Sequence, residues 1–311
     1  VIREHALGYF PDILMASAKS AAMLMYLNGN ENVASAPNEN YAREVMELHT
    51  LGVDGGYNEN DIQELARCFT GWTFYPQGMP IFGEFRFDSS NHDYGSKVVM
   101  GQTIPSGGGV SDGEFMLNYL ALHPNTAEYV SRELAVFLLD YDPPQALVDE
   151  AKAVFLATGG HMKEVVRVIM DEKWIPLVDP WNTPKLSRPM HFVCSVLRTP
   201  GLTVSAMGAV PEAFEILGHY PFQWSSPDGF PDDLNTWGSA VLPRWEFAFA
   251  VYFGSLPGVQ APAGALYGEL GGPNSADLTA RIADLLAGGN IDPNELRVVH
   301  DFVQSGVSAG P

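Results

Sequence analysis

Apolar residues along this chain recur mostly at helical spacing. Residues 2–28 carry apolar positions three and four apart, with an alanine- and methionine-rich second half. Residues 29–37 read as a loop. A helix is expected from about Asn40 to Leu51, ended by Gly52 as a glycine just past a helix would end it. Asn58-Glu-Asn-Asp61 reads as an N-cap with an acidic first turn. Ile62, Leu65, Ala66 and Phe69 then form one apolar stripe, which stops at Gly71.

The period changes over residues 74–104. Phe82 to Phe87 alternate, Asp88 to Asp93 turn, and Lys97-Val-Val-Met returns, which predicts one β-hairpin or flap over about residues 80–102. Ser106-Gly-Gly-Gly reads as a flexible hinge. Ser111-Asp-Gly-Glu114 reads as a capping box opening the next helix. Pro124 suits a first helical turn, and Ala127, Val130, Leu134, Phe137 and Leu138 make an apolar face. Further helices are expected at about 145–157, 161–171, 186–198, 209–217 and 243–253. Residues 218–242 form a long loop rich in aromatic residues, proline and glycine. Beyond Gly258 the composition shifts to Ala, Gly and Pro, with two amphipathic helices near 275–288 and 293–304. The expected fold is mainly α: a multi-helical globular bundle with a small β-hairpin. It divides into a helical domain over 1–257 and a C-terminal helical appendage over 258–311.

Charge narrows the partners. The 311 residues hold 37 acidic and 17 basic side chains, a formal net charge of −20. That balance opposes nucleic-acid binding, which relies on Lys and Arg to neutralise phosphates. It equally opposes docking on anionic membranes. It suits a soluble, self-repelling surface, a cationic partner or bound divalent cations. Cys68 and Cys194 are the only cysteines, with no CxxC, so a cysteine-rich zinc site is excluded. One disulfide, which would imply export, and two buried free thiols both fit. The longest apolar run near the end, Phe247 to Phe253, is far short of the ~20 residues of a membrane span. The chain opens at Val1 without a signal-like stretch, so its start does not speak to export.

The densest chemistry lies in Asn38-Glu-Asn-Tyr-Ala-Arg-Glu-Val-Met-Glu-Leu-His-Thr-Leu-Gly-Val-Asp-Gly-Gly-Tyr57, followed by Asp61-Ile-Gln-Glu-Leu-Ala-Arg-Cys-Phe-Thr-Gly-Trp-Thr-Phe74. This motif resembles the bacterial family called domain of unknown function 1800. Further pieces of the same resemblance occur in order. They are Arg3-Glu-His5, the His92 to Lys97 turn, Leu122-His-Pro124, the Thr183-Pro-Lys185 to Arg198 helix, and Pro227-Asp-Gly-Phe-Pro231 with Trp237, so that it covers roughly residues 1–255. Members of that family are usually longer at the N-terminus by a helical region, and the resemblance implies export to the periplasm or the outside. It also implies a neighbouring gene for an exported protein like sulfatases and alkaline phosphatases. No catalytic or binding residue is established in that family.

The residues themselves suggest several sites. At 100° per residue Glu44 falls between Leu48 and Leu51, inside the apolar arc, where a carboxylate needs a cation, a metal or its own proton. Three readings stay open. Glu44 pairs with an Arg or Lys of another helix. Or Asn40, Glu44 and Glu47 hold a divalent metal, Ca, Mg or Zn, with distant ligands. Or Glu44 is a metal-free acid–base catalyst. His49 falls on another face, so ExxExH is not a HExxH site. Asp54 to Asp61 reads as a calcium loop or as a turn with a cap; the spacing is not that of an EF-hand. His92-Asp93 in a turn reads as ligand, general base or plain turn. His5 and His123 would matter if they faced one cleft. Tyr220, Phe222, Trp224, Phe230 and Trp237 would stack on sugar rings, cover a pocket or plug the bundle end. No Walker lysine follows the glycines and no GxSxG occurs.

Two functions follow. The first is a metal-assisted hydrolase for an extracellular substrate. Glu44 and Glu47 would be ligand or base, His92 and Asp93 would approach from the flap, and Arg43, Lys97 or Lys185 would hold an anionic group, with Trp224 and Trp237 against the substrate. The second is a non-catalytic binding or scaffold partner of another exported protein.

Overall fold

Asn58 starts the helix around which the first half of the chain is arranged. Its side-chain oxygen accepts the amides of Asn60 and Asp61, and Asp61 returns a bond to the Asn58 amide at 3.0 Å. That reciprocal cap sets α5 (Glu59–Cys68), which buries Ile62, Leu65 and Ala66. The computed structural model describes residues 1–175, 185–205, 209–260, 280–281 and 291–307. The protein is mainly α-helical with small two-stranded hairpins. It divides into two compact units, Val1–Val178 and Asp179–Pro311.

In the first unit, residues 2–28 form three short pieces: α1 (Ile2–His5), α2 (Phe10–Ala18) and α3 (Ala21–Tyr26). Pro11 sits in the first turn of α2, and Ser20 caps α3 by accepting the Met23 amide. The next helix, α4 (Asn40–Glu47), ends earlier than Leu51. The His49 amide reaches back five residues to the Glu44 carbonyl, and the Leu51 amide does the same to Met46. The Thr50 hydroxyl takes the Val45 carbonyl that a regular turn would pair with His49. The buried face of α4 is Tyr41, Ala42, Val45 and Met46. Glu44 therefore lies at the margin, half-buried, and not inside the apolar arc. The helix burying that arc is shorter than the wheel assumed, and the small Ala42 turns inward with it.

The Asp54-Gly-Gly turn is a turn with a cap. Gly56 has φ +83°, and a Cβ on Gly55 would lie 2.3 Å from the Leu51 Cβ. The Asn125 side chain holds the turn through the Gly55 carbonyl at 2.9 Å.

The expected single hairpin is two. β1 (Trp72–Phe74) pairs antiparallel with β2 (Phe85–Phe87), with Trp72 opposite Phe87. β3 (Lys97–Val99) pairs with β4 (Gln102–Ile104), with Val99 opposite Gln102. Phe85–Phe87 and Lys97–Val99 thus belong to different sheets. The tight turn is Met100-Gly101, both at positive φ, 49° and 76°. Two such residues form the primed turn that matches strand twist, without the usual Asn-Gly signature.

α6 (Val110–Ala121) begins ahead of Ser111, with Gly109 in the cap position and Asp112, not Glu114, closing back onto it. α7 (Pro124–Leu138), α8 (Gln145–Thr158) and α9 (Met162–Ile169) follow, close to their expected bounds, and pack α7 on α8 and α8 on α9. His123 caps α7, its Nδ1 accepting the Asn125 amide. One core lies among α2 to α6 and the hairpins, and a second among α7 to α9.

The second unit contains α10 (Pro189–Arg198), β5 (Thr203–Val204), α11 (Ala209–Ile216), α12 (Leu234–Gly238), α13 (Val241–Tyr252), β6 (Val259–Gln260) and α14 (Pro293–Val307). β5 pairs with β6. Its core joins Val193, Leu197, Ala213, Leu217 and Phe247. The helix expected near 275–288 lies outside the described residues except at 280–281. Cys68 and Cys194 are free thiols. Burial pushes the Cys68 thiol up to about 12, so it behaves as a small core hydrophobe. Among the described residues no helix is long and apolar enough to cross a membrane.

His49, next to Tyr41 at a ring separation of 6.4 Å, is held from the usual 6.5 down to about 4 by burial. The folded protein therefore favours neutral His49 while the unfolded chain protonates first. Its stabilisation is complete above about pH 6.5 and drains as pH falls towards 4. Thermal unfolding followed from pH 7.5 to 4.5 should show a falling midpoint. In His49→Gln the slope should be shallower in that window, and an unchanged slope would contradict this account. His123, His191 and His219 are shifted in the same direction, so some slope remains.

Candidate functional site

The densest buried chemistry of the first unit lies where the β2–β3 loop, β3 and the start of α6 meet α5. β3 is a strand edge, and α5 supplies it with acceptors. Glu64 accepts the Val98 amide at 3.0 Å and Asp61 accepts the Met100 amide at 2.6 Å. Carboxylates three residues apart on a helix face thus meet amides two apart on a strand, and complete what a neighbouring strand would have paired. Arg67 extends the row. It bonds Glu64 at 2.7 Å and grips Asp93 through Nε at 2.7 Å and Nη2 at 3.2 Å. That guanidinium, with the Gly95 amide, draws the Asp93 carboxyl down to about 2.

His92 is buried beside it, not displayed on a turn. Its ring stands edge-on to Phe87 and Tyr94 at 5.2 and 5.0 Å. Nδ1 lies 2.8 Å from the Thr70 carbonyl and 3.2 Å from the Thr70 hydroxyl. That hydroxyl donates to the Arg67 carbonyl and accepts the Asp93 amide, so Nδ1 is the donor to the Thr70 carbonyl. Nε2 faces Asp112 Oδ2 at 3.4 Å, and Lys97 Nζ bonds the same oxygen at 2.8 Å. Lys97 also donates to the carbonyls of Asp93 and Gly95. Asp112 Oδ1 takes the Gly109 amide at 3.3 Å. Lys97 is 1% exposed and Asp112 3%. Two glycines mark the tightness. A Cβ on Gly108 would lie 1.8 Å from Asp112 Oδ1, and one on Gly71 would lie 2.4 Å from the Asp88 carbonyl.

Asp112 also borders a cleft of about 360 Å³ formed with Ser106, Gly107, Gly108, Ser111 and Phe115. Both Asp112 oxygens and all the Lys97 contacts point into the protein's own network. As it stands, the arrangement anchors the β2–β3 loop to α5 and α6.

The other expected site residues make contacts of their own. Asn40 is exposed at the start of α4, its amide bonded to Asn38. Arg43 joins Glu59 at 2.5 Å, Glu39 at 3.3 Å and Glu47 at 3.5 Å, and Glu59 above all, with Glu47, raises its pKa. Lys185 pairs with Asp232 at 2.6 Å in the second unit. There Trp224 donates to Asp228 at 3.3 Å, while buried Trp237 donates to the Pro231 carbonyl and stacks on His219. Trp237, Phe230 and His219 fill the inside of the aromatic loop, as a plug would. His5 is half-buried with Nε2 3.9 Å from Glu4. Of the expected residues, His92, Asp93 and Lys97 come together in this cluster, and Arg43 pairs with Glu47 on α4. Among the described residues no group of three or more His, Cys, Asp and Glu side chains is placed to share a metal ion. Asp112, Arg67 and Thr70, which complete the cluster, were not singled out in the sequence as site residues. The three glycines before Asp112 were the available signal.

Removing one member of a buried ion pair leaves the other uncompensated, at a cost of about 3–5 kcal/mol. Lys97→Met and Asp112→Asn should each lower urea unfolding free energy by about that range. The double variant should cost less than the sum, with a coupling of about 0.5–3 kcal/mol. Additive losses would mean that the two side chains do not act as a pair.

Comparison with known proteins yields a family and no closer relative. A family model described as "Protein of unknown function (DUF1800)" matches residues 1–310, and so runs through the segment expected as an appendage. No curated protein and no solved structure matches the chain. With the motif on α4 and α5 accounted for and the match spanning essentially its whole length, the chain belongs to the DUF1800 family.

Proposed function

We propose that this protein is a non-catalytic binding partner of another exported protein. The observation that carries the reading is the commitment of the charged side chains that a hydrolase would need. Arg43, Lys97 and Lys185 each neutralise acids of the protein itself, Asp93 is gripped by Arg67, and Glu47 is paired with Arg43. His92 is buried with both ring nitrogens facing protein groups. Charges so placed rigidify a surface, and a rigid surface favours recognition. The surplus of acid, a net charge of −20, favours a cationic face on the partner. An exported protein like sulfatases and alkaline phosphatases, encoded nearby, is the partner we put forward.

Two measurements test this. The purified protein mixed with the purified neighbour-encoded protein should give a complex of defined stoichiometry by size exclusion with light scattering; two separate peaks at micromolar concentration would remove the proposal. Inductively coupled plasma mass spectrometry of the parent and of Glu44→Gln should show no metal that depends on Glu44. A near-stoichiometric metal lost in the variant would instead favour the metal-assisted hydrolase built on Asn40, Glu44 and Glu47.

A further inference from the structure

α13 carries large apolar residues on both its inner and its outer face. Phe247 and Arg244 face inward and are buried. On the outer side Leu242, Trp245, Phe249 and Phe253 are 67%, 59%, 50% and 71% exposed. Their spacing of three, four and four places them in one line along the helix. The three aromatic rings step along it, Trp245 to Phe249 at 5.9 Å and Phe249 to Phe253 at 6.2 Å. A surface helix ordinarily carries polar residues there, and a contiguous exposed apolar patch marks an interaction site. Beside this line runs a groove of about 240 Å³ between α11 and α13, with Leu217, Phe247 and Ala250 on its walls. Glu212 and Glu246 also line it, both exposed, and no Lys or Arg does.

We propose that the outer face of α13, with this groove, receives a basic amphipathic helix of a partner protein. The proposal rests on the binding role given above and assigns it a surface. An apolar stripe about three turns long matches a partner helix of about 11 residues, roughly 17 Å. The acidic rim and the net charge of −20 select Lys and Arg at the flanks of that helix. The same charge opposes the other occupants. A second copy of this chain would bring like rims together, and an anionic membrane would be repelled.

The experiment uses the full chain and two dye-labelled synthetic helices with identical leucine positions, one with lysine at every polar position and one with glutamate. Fluorescence anisotropy should show the Leu/Lys helix binding at least tenfold more tightly than the Leu/Glu helix. Trp245→Ser/Phe249→Ser, which changes only exposed side chains and so keeps the parent circular dichroism, should lose at least tenfold for the Leu/Lys helix. Equal binding of the two helices overturns the charge selection, and equal binding by parent and variant overturns the surface. A parent dimer in light scattering that the variant loses, or variant-sensitive binding to phosphatidylcholine vesicles, replaces the occupant and overturns the proposal. The variant also separates this inference from the role it rests on. If it still binds the neighbour-encoded protein as the parent does, the surface assignment falls and the role stands. If the parent binds no such protein, the role falls whatever the peptides do.

Discussion

A lysine and an aspartate out of reach of water hold the first unit's hairpin region together. Lys97 and Asp112 meet at 2.8 Å with almost no exposed surface. Such a pair persists only when both partners find further bonds. Here two backbone carbonyls and the Gly109 amide supply them. The β2–β3 loop must therefore pass over Lys97 with its carbonyls inward, α6 must be capped at Gly109, and position 108 must stay free of a side chain. Local conformation over some twenty residues follows from the demand that two charges be satisfied.

The rest of the region is built on the same principle of acids meeting backbone amides. α5 works as a substitute strand, with Asp61 and Glu64 as acceptors for β3 and Arg67 as the tie to the loop. Asp61 serves twice, since it also closes the cap on Asn58, so the start of the helix and the position of the hairpin turn are coupled. Met100 adopts its unfavourable positive φ at the residue whose amide Asp61 holds.

Much of this was legible beforehand and some was not, for identifiable reasons. The stripe Ile62, Leu65, Ala66, Phe69 and the Asn58 cap are local, and both occur as read. Most later helix bounds fell within a few residues of expectation. Strand pairing failed because Phe85–Phe87 finds its partner across a long loop at Trp72–Phe74, while the Met100-Gly101 turn has no standard signature. Glu44 was misplaced because the last turn of α4 opens to five-residue bonds, which no wheel contains. The His92, Lys97 and Asp112 cluster joins residues whose meeting depends on tertiary packing. The local signal for Asp112 was the glycine run before it, and that run read as a flexible hinge.

Gly108 sets an order on how this protein can diverge. With Asp112 in place, position 108 admits no side chain, because a Cβ would lie 1.8 Å from the carboxylate. Losing Asp112 first relieves that block but strands the Lys97 ammonium, so a neutral route starts by replacing Lys97 or by a change that compensates for it. The three positions behave as a ratchet: each substitution is permitted or forbidden by what has already happened at the other two. Relatives that lack both the lysine and the aspartate are therefore the ones in which position 108 is free to acquire a side chain.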